Sequence, residues 1–381
     1  MIICFQCSSE TKRLLDRLLE TRSYNDYSEA IAVSIANQSL LHNRMGTGGT
    51  FVLKTEAVSE TGSGPVCAAS SLQRRSEATI SGELSVPEIF TLEGVSDGTV
   101  SCAPSSADDL FSAPNVPIER WLLGQYNRLL PAKVNCRALL HYLREGRDGV
   151  ALPDVEQEIA AAATRLGEIL RFHDRRERLD RDEALSTAFP SAIDDADKSR
   201  RRYINQFLGT VNSQRQISGL LAGLKLINLA KQDQPRVALT DAGLSFALLS
   251  NPVLDEGHGR VVRKFSSEET EFLLDHVAQS VPSESFAYRT ILTAIKTGAN
   301  TPEKIAEVLR REAPPSMDRG LTESFIASQR SGAISRMCDL DLVRRLRQGV
   351  RVTYAITEPG DRFLSRRTTR RHGDHGCDEN R

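Results

Sequence analysis

Residues 2–7 read Ile-Ile-Cys-Phe-Gln-Cys, an apolar run with the length of one short strand. Leu14, Leu15, Leu18 and Leu19 then recur three and four apart, and helical spacing resumes from Ser28 to Leu41 after the polar stretch Asn25-Asp-Tyr. The pattern predicts one strand and two helices within residues 1–44. The next plausible strand lies far down the chain, which raises the question of what the first one pairs with.

From residue 45 to 114 the pattern changes. Gly, Ser and Thr dominate and long apolar side chains are few, so this stretch buries too little surface to offset its ordering entropy. It is expected to be a flexible linker with one short extended piece at residues 86–92. Apolar spacing returns at Val116-Pro-Ile-Glu-Arg-Trp-Leu-Leu-Gly124, around the only tryptophan, and predicts helices over residues 135–145 and 155–172. Signs alternate along residues 171–183, which reads as a solvated helix face.

The downstream half contains an echo. Ala238-Leu-Thr-Asp-Ala-Gly-Leu-Ser-Phe246 and Ala355-Ile-Thr-Glu-Pro-Gly-Asp-Arg-Phe363 share the pattern Ala-apolar-Thr-acid-x-Gly-x-x-Phe. Gly223-Leu-Lys-Leu-Ile227 precedes the first and Asp339-Leu-Asp-Leu-Val343 the second. Further upstream, Ser213-Gln-Arg-Gln-Ile-Ser218 corresponds to Ser328-Gln-Arg-Ser-Gly-Ala-Ile-Ser335. Three matches in the same order indicate a duplicated unit. Each copy predicts a helix, a β-hairpin and a helix opened by Thr240 or Thr357 as N-cap, with strands at residues 237–240 and 350–357. In the first copy residues 203–209 predict one helix ended by Gly209, and residues 211–224 a second. In the second copy a helix starts at Thr301-Pro and another runs through residues 328–337. The fold class is therefore mainly α with small β elements.

Composition narrows the chemistry. A formal net charge of -1 over 381 residues gives no global attraction to nucleic acid, so such a role must rest on local clusters. Seven scattered cysteines predict no disulfide framework and point to a reducing compartment. No apolar run reaches the roughly 18–20 residues of a membrane span, and the apolar start is too short for a signal peptide, so a cytoplasmic, nucleoid-associated protein without membrane contact is expected.

The echo resembles winged helix-turn-helix domains of prokaryotic DNA-binding proteins, over residues 135–254 and 267–364. The resemblance implies that the second helix of each pair presents polar and Arg side chains to base edges: Asn212, Ser213, Gln214 and Arg215 in the first copy, Gln329, Arg330 and Arg336 in the second. The wing of the second copy carries Arg344, Arg345, Arg347 and Arg351 around a Gly, as phosphate contacts require, and Arg201 and Arg202 close a further basic cluster beginning at Lys198. The first wing, residues 231–236, is weaker.

Residues 1–41 resemble the ribbon-helix-helix family, in which the single strand pairs with its copy in a second chain. That resemblance implies a homodimer joined through Ile3, Phe5, Leu14, Leu18 and Ile31. Ile2, Cys4 and Gln6 share the opposite strand face, so only Gln6 has base-reading chemistry, and Asp26 opposes phosphate at the second helix. The module is thus expected to dimerise rather than read DNA; the alternative is that its strand pairs within the same chain.

Cys4 and Cys7 point to opposite faces of a regular strand, so with His372, His375 and Cys377 they do not predict a metal site. Gly46-Thr-Gly-Gly49 lacks the Lys-Ser/Thr of a phosphate loop, and no catalytic motif is found. Neither an enzyme nor a cofactor is expected. The layout reads as a dimerisation module (1–44), linker (45–114), first winged helix with a helical insertion (115–260), second winged helix (261–365) and basic tail (366–381). The expected function is a dimeric transcriptional regulator holding double-stranded DNA. The alternative is an interaction scaffold, or a plasmid replication, partition or defence component, whose winged helices bind protein.

Overall fold

The computed structural model describes residues 85–93, 100–105, 116–144, 147–180, 183–191, 195–230, 234–256, 263–314, 322–349 and 351–366. The predicted strand and helices of residues 1–44, with Ile3, Phe5, Leu14, Leu18 and Ile31, lie outside them, as do Cys4, Cys7 and the histidines of the tail.

Short 3-10 turns, Glu88–Phe90 and Ile118–Arg120, lead to α1 (Leu130–Leu143), whose first turn holds Pro131. This helix is buried on nearly every side, Lys133, Asn135 and Arg137 included. Next, α2 (Leu152–Arg176) buries Val155, Ile159, Ala163, Leu166 and Leu170, a three-to-four spacing that makes one apolar face. The Asp195 carboxylate caps α3 (Ala196–Tyr203), which widens into a π turn, Ile204–Leu208, and stops at Gly209 with φ +120°. Two small hairpins flank a single helical turn: β1 (Thr210–Val211) with β2 (Ile217–Ser218), then α4 (Leu220–Gly223), then β3 (Ile227–Leu229) with β4 (Val237–Leu239). Helix α5 (Asp241–Leu248) follows.

The remainder begins with α6 (Ser267–Ser280), opened by a reciprocal cap between Ser266 and Glu269. Then come α7 (Pro282–Lys296), α8 (Pro302–Glu312) capped by Thr301, and α9 (Glu323–Asp339) capped by Thr322. A longer hairpin, β5 (Val343–Gln348) with β6 (Arg351–Ile356), leads to α10 (Glu358–Ser365). Among the described residues the fold is mainly helical, with three two-stranded antiparallel sheets.

The two echo segments are built alike. Lys225 and Asp341 each sit in the left-handed region, at φ +55°, where the preceding helix ends. Their carbonyls accept from the Thr240 and Thr357 hydroxyls, which in turn accept from the amides of Gly243 and Gly360 and so cap α5 and α10. Thr240 N donates to Leu226 O at 3.0 Å, and Thr357 N to Leu342 O at 3.2 Å. A Cβ at either glycine would overlap that same leucine carbonyl, which explains the invariant Gly of the pattern. Phe246 and Phe363 close each copy from inside the core.

Three expectations are corrected. Residues 211–224 do not form a helix: the chain turns at Asn212–Gln216, where local side-chain bonding outcompetes helical bonding, and only α4 is helical. Within residues 86–92, Glu88–Phe90 forms a 3-10 turn instead of extended chain, and the end of the expected linker is packed: Phe90 is buried against α1 and Ala103 N donates to Leu239 O at 2.8 Å. Nor does residue 260 divide two cores. Ile80–Arg381 is one compact unit in which Phe246 stacks on Phe272, at 5.8 Å between centroids, and Lys133 pairs with Glu269 at 2.9 Å.

Candidate nucleic-acid interface

The β5–β6 wing is two strands of six residues in full register, from Val343 opposite Ile356 to Gln348 opposite Arg351, turning at Gly349 with φ +61°. Alternation sorts its side chains into two faces. Val343 and Tyr354 anchor the inner one, and Tyr354 N donates to Asn300 O at 2.9 Å, tying the wing to the loop between α7 and α8. Arg345 lies on this face with its guanidinium 5.9 Å from the Tyr354 ring centre, so packing holds it. Burial pushes the Tyr354 hydroxyl above its ordinary pKa, against the pull of Arg345. Arg344, Leu346, Gln348 and Arg351 share the outer face and are exposed, as is Arg347 at the tip.

Arg344, Arg345 and Arg347 also line a cleft of about 1260 Å³, with Arg263, Lys264 and Arg362. The rest of its lining mixes apolar and hydroxyl side chains with the acids Glu177, Asp180, Glu183, Glu271, Asp339, Asp341 and Glu358. Six basic and seven acidic side chains nearly cancel there, so the cleft as a whole gives a polyanion little net attraction. Arg263, Lys264 and Arg362 were not singled out from the sequence. Lys264 is already committed to Asp339, at 2.6 Å.

Helix α9 does not present the side chains expected of it. Gln329 is 1% exposed and donates to Ile118 O at 3.1 Å, so it belongs to the core. Arg336 is fully buried, paired with Glu284 at 2.5 Å and donating to Tyr126 O at 2.8 Å. Burial opposes its charge, and the Glu284 carboxylate more than restores it. Arg330 is half-buried and donates to Pro302 O at 2.7 Å. The physical reason is a strap, residues 116–129, that lies along this face of α9, where Gly332 and Gly124 touch backbone to backbone. Gln329 and Arg336 are withdrawn as DNA contacts. Along α9 the exposed residues are Glu323, Ser324, Ser328 and Ser331, none of them basic.

The first copy is arranged differently. Lys198, Arg201 and Arg202 are exposed on α3. Asn212, Ser213, Gln214 and Arg215 are exposed too, but at the tip of the β1–β2 hairpin rather than on a helix. Asn212 organises that tip: its Oδ1 accepts from Gln214 N at 3.0 Å and Gln216 N at 2.8 Å, and its Nδ2 donates to Gln216 Oε1 at 3.1 Å.

Among the described residues no cluster of three or more His, Cys, Asp or Glu has metal-binding geometry, and no helix is long and apolar enough to cross a membrane. No family model, no curated protein and no solved structure matches this chain.

Proposed function

We propose that this protein binds duplex DNA, gripping the sugar-phosphate backbone with the β5–β6 wing of a winged-helix-like second copy and with the basic end of α3. The observation that carries this reading is the exposed guanidinium set of Arg344, Arg347 and Arg351 on a hairpin held rigid by the buried Val343 and Tyr354. Arginines on a fixed scaffold lose little conformational freedom on meeting phosphate, and their planar donors match its oxygens. The dimer, through Ile3, Phe5, Leu14, Leu18 and Ile31, rests on the sequence resemblance alone and completes the proposal of a dimeric regulator. A scaffold that binds protein is the second reading; the exposed side of α9, acidic and hydroxylic, favours it.

Titrating a fluorescent duplex with the full-length protein across salt concentrations tests the proposal. Backbone binding predicts tight association at low salt and a linear fall of log K with log salt of about 0.9 per phosphate neutralised. Absence of binding to any duplex at low salt would leave the protein-binding reading standing.

A further inference from the structure

We infer that the β1–β2 hairpin, not α9, reads base edges, with Gln214 and Arg215 as the reading side chains. This rests on the duplex-binding reading above and assigns sequence recognition within it. With α9 covered by the strap and showing no exposed base at its surface, a different element must enter a groove if any sequence is read.

The hairpin has the form for that task. It is a two-stranded ribbon, which the major groove admits. Two glycines pinch its base: Gly209 and Gly219 hold φ +120° and +113°, and a Cβ on Gly219 would lie 2.7 Å from Gly209 Cα. The Thr210 and Ser218 hydroxyls bond across the strands at 2.9 Å, and Asn212 locks the tip from within. Asn212 is therefore a positioning residue. The Gln214 carboxamide takes no part in those bonds, and it matches adenine as the Arg215 guanidinium matches guanine.

The backbone at Arg215 supplies an independent observation. Arg215 N donates to Asn212 O at 3.0 Å, closing a turn, and Arg215 itself has φ +58°. A three-residue hairpin loop puts a left-handed residue at this position, and glycine adopts it without steric cost. The other non-glycine residues with positive φ, Arg178, Lys225 and Asp341, all sit two residues past a helix end, as helix termination requires. At Arg215 the long cationic side chain is kept where the backbone favours none, which points to a use for it. Lys198, Arg201 and Arg202 on α3 precede the hairpin by about 12–18 Å at the helical rise of 1.5 Å per residue, within range of the phosphates flanking a groove.

The test is selection from a library of randomised duplexes with the full-length protein, its Gln214→Ala and Arg215→Gly variants, and an Arg344→Ala/Arg351→Ala variant. Expected is an enriched motif for the wild type, and about tenfold or greater loss of preference at a motif position in each tip variant, with affinity for random duplex nearly kept. The Arg215→Gly variant should also melt at higher temperature, which a merely structural role would not produce. The wing variant should weaken on all sequences and keep the motif. Unchanged motifs in both tip variants, or no motif for the wild type, would overturn the assignment while leaving duplex binding intact. Failure of the wild type to bind any duplex would overturn the function itself.

Discussion

Lys133 shows where much of the polar chemistry of this chain is committed. Its ammonium is fully buried, donates to Phe246 O at 2.5 Å and Leu249 O at 2.6 Å, and pairs with Glu269 at 2.9 Å, so it caps the end of α5 and ties α1 to α6. Burial pushes its pKa down to about 8, against the pull of Glu269. Replacing it by Met strands a buried carboxylate, and Lys133→Met should lose about 3–5 kcal/mol in urea unfolding; a loss below about 1 kcal/mol would contradict that role. Nothing local in the sequence distinguishes Lys133 from a surface lysine, nor Arg336 from Arg344. What separates them is the strap: small residues at Ser328 and Gly332 let a chain segment more than two hundred positions away approach α9, as the bond from Gln329 to Ile118 shows. Arg344 and Arg351 were legible because strand alternation around a glycine turn exposes them whatever packs elsewhere, whereas alternation turns Arg345 onto the inner face against Tyr354.

At the scale of elements, the duplicated Thr-acid-x-Gly motif was readable because its chemistry is local: a threonine cap, a glycine under a carbonyl, a phenylalanine one turn later. Gly→Ala within a helix ordinarily gains up to about 1 kcal/mol. Here Gly243→Ala and Gly360→Ala should both destabilise, since the added methyl meets the Leu226 or Leu342 carbonyl; a stabilisation measured by thermal melting would refute the account of the motif. The missing second helix of the first copy has a physical cause that was visible but outweighed. Gly209, Gly219 and Gly223 punctuate the segment, and Asn212 offers the backbone a turn in place of a helix. Helix α6 carries a pH-sensitive contact as well. His276 stacks on Phe272, and its Nε2 meets Leu224 O at 2.7 Å, which requires the ring to donate there. Burial holds its pKa below the ordinary 6.5, with Lys225 adding to the effect. The unfolded chain therefore takes up a proton that the native state resists, so this contribution is intact above pH 6.5 and fades as pH falls below it. Between pH 7 and 5 the urea midpoint of the wild type should drop further than that of His276→Gln; parallel curves would contradict this.

On the scale of the molecule, the two copies share one core rather than forming two beads, because Phe246 and Lys133 of one side pack on Phe272 and Glu269 of the other. Apolar spacing revealed the helices but not their partners, and the boundary expected at residue 260 fails for that reason. Exposed cations also occur at the end of α2 and on α8, besides the wing, α3 and the hairpin tip, and the near-neutral net charge and the mixed signs of the cleft limit any global attraction to DNA. In the proposed function, a chain without global positive charge holds DNA by a few fixed arginines. The salt dependence of duplex affinity, compared between the wild type and Arg344→Ala/Arg351→Ala, measures this most directly. If both residues contact phosphate, the slope of log K against log salt should fall by about 2 and affinity should weaken on every sequence. An unchanged slope and affinity in the double variant would contradict the claim.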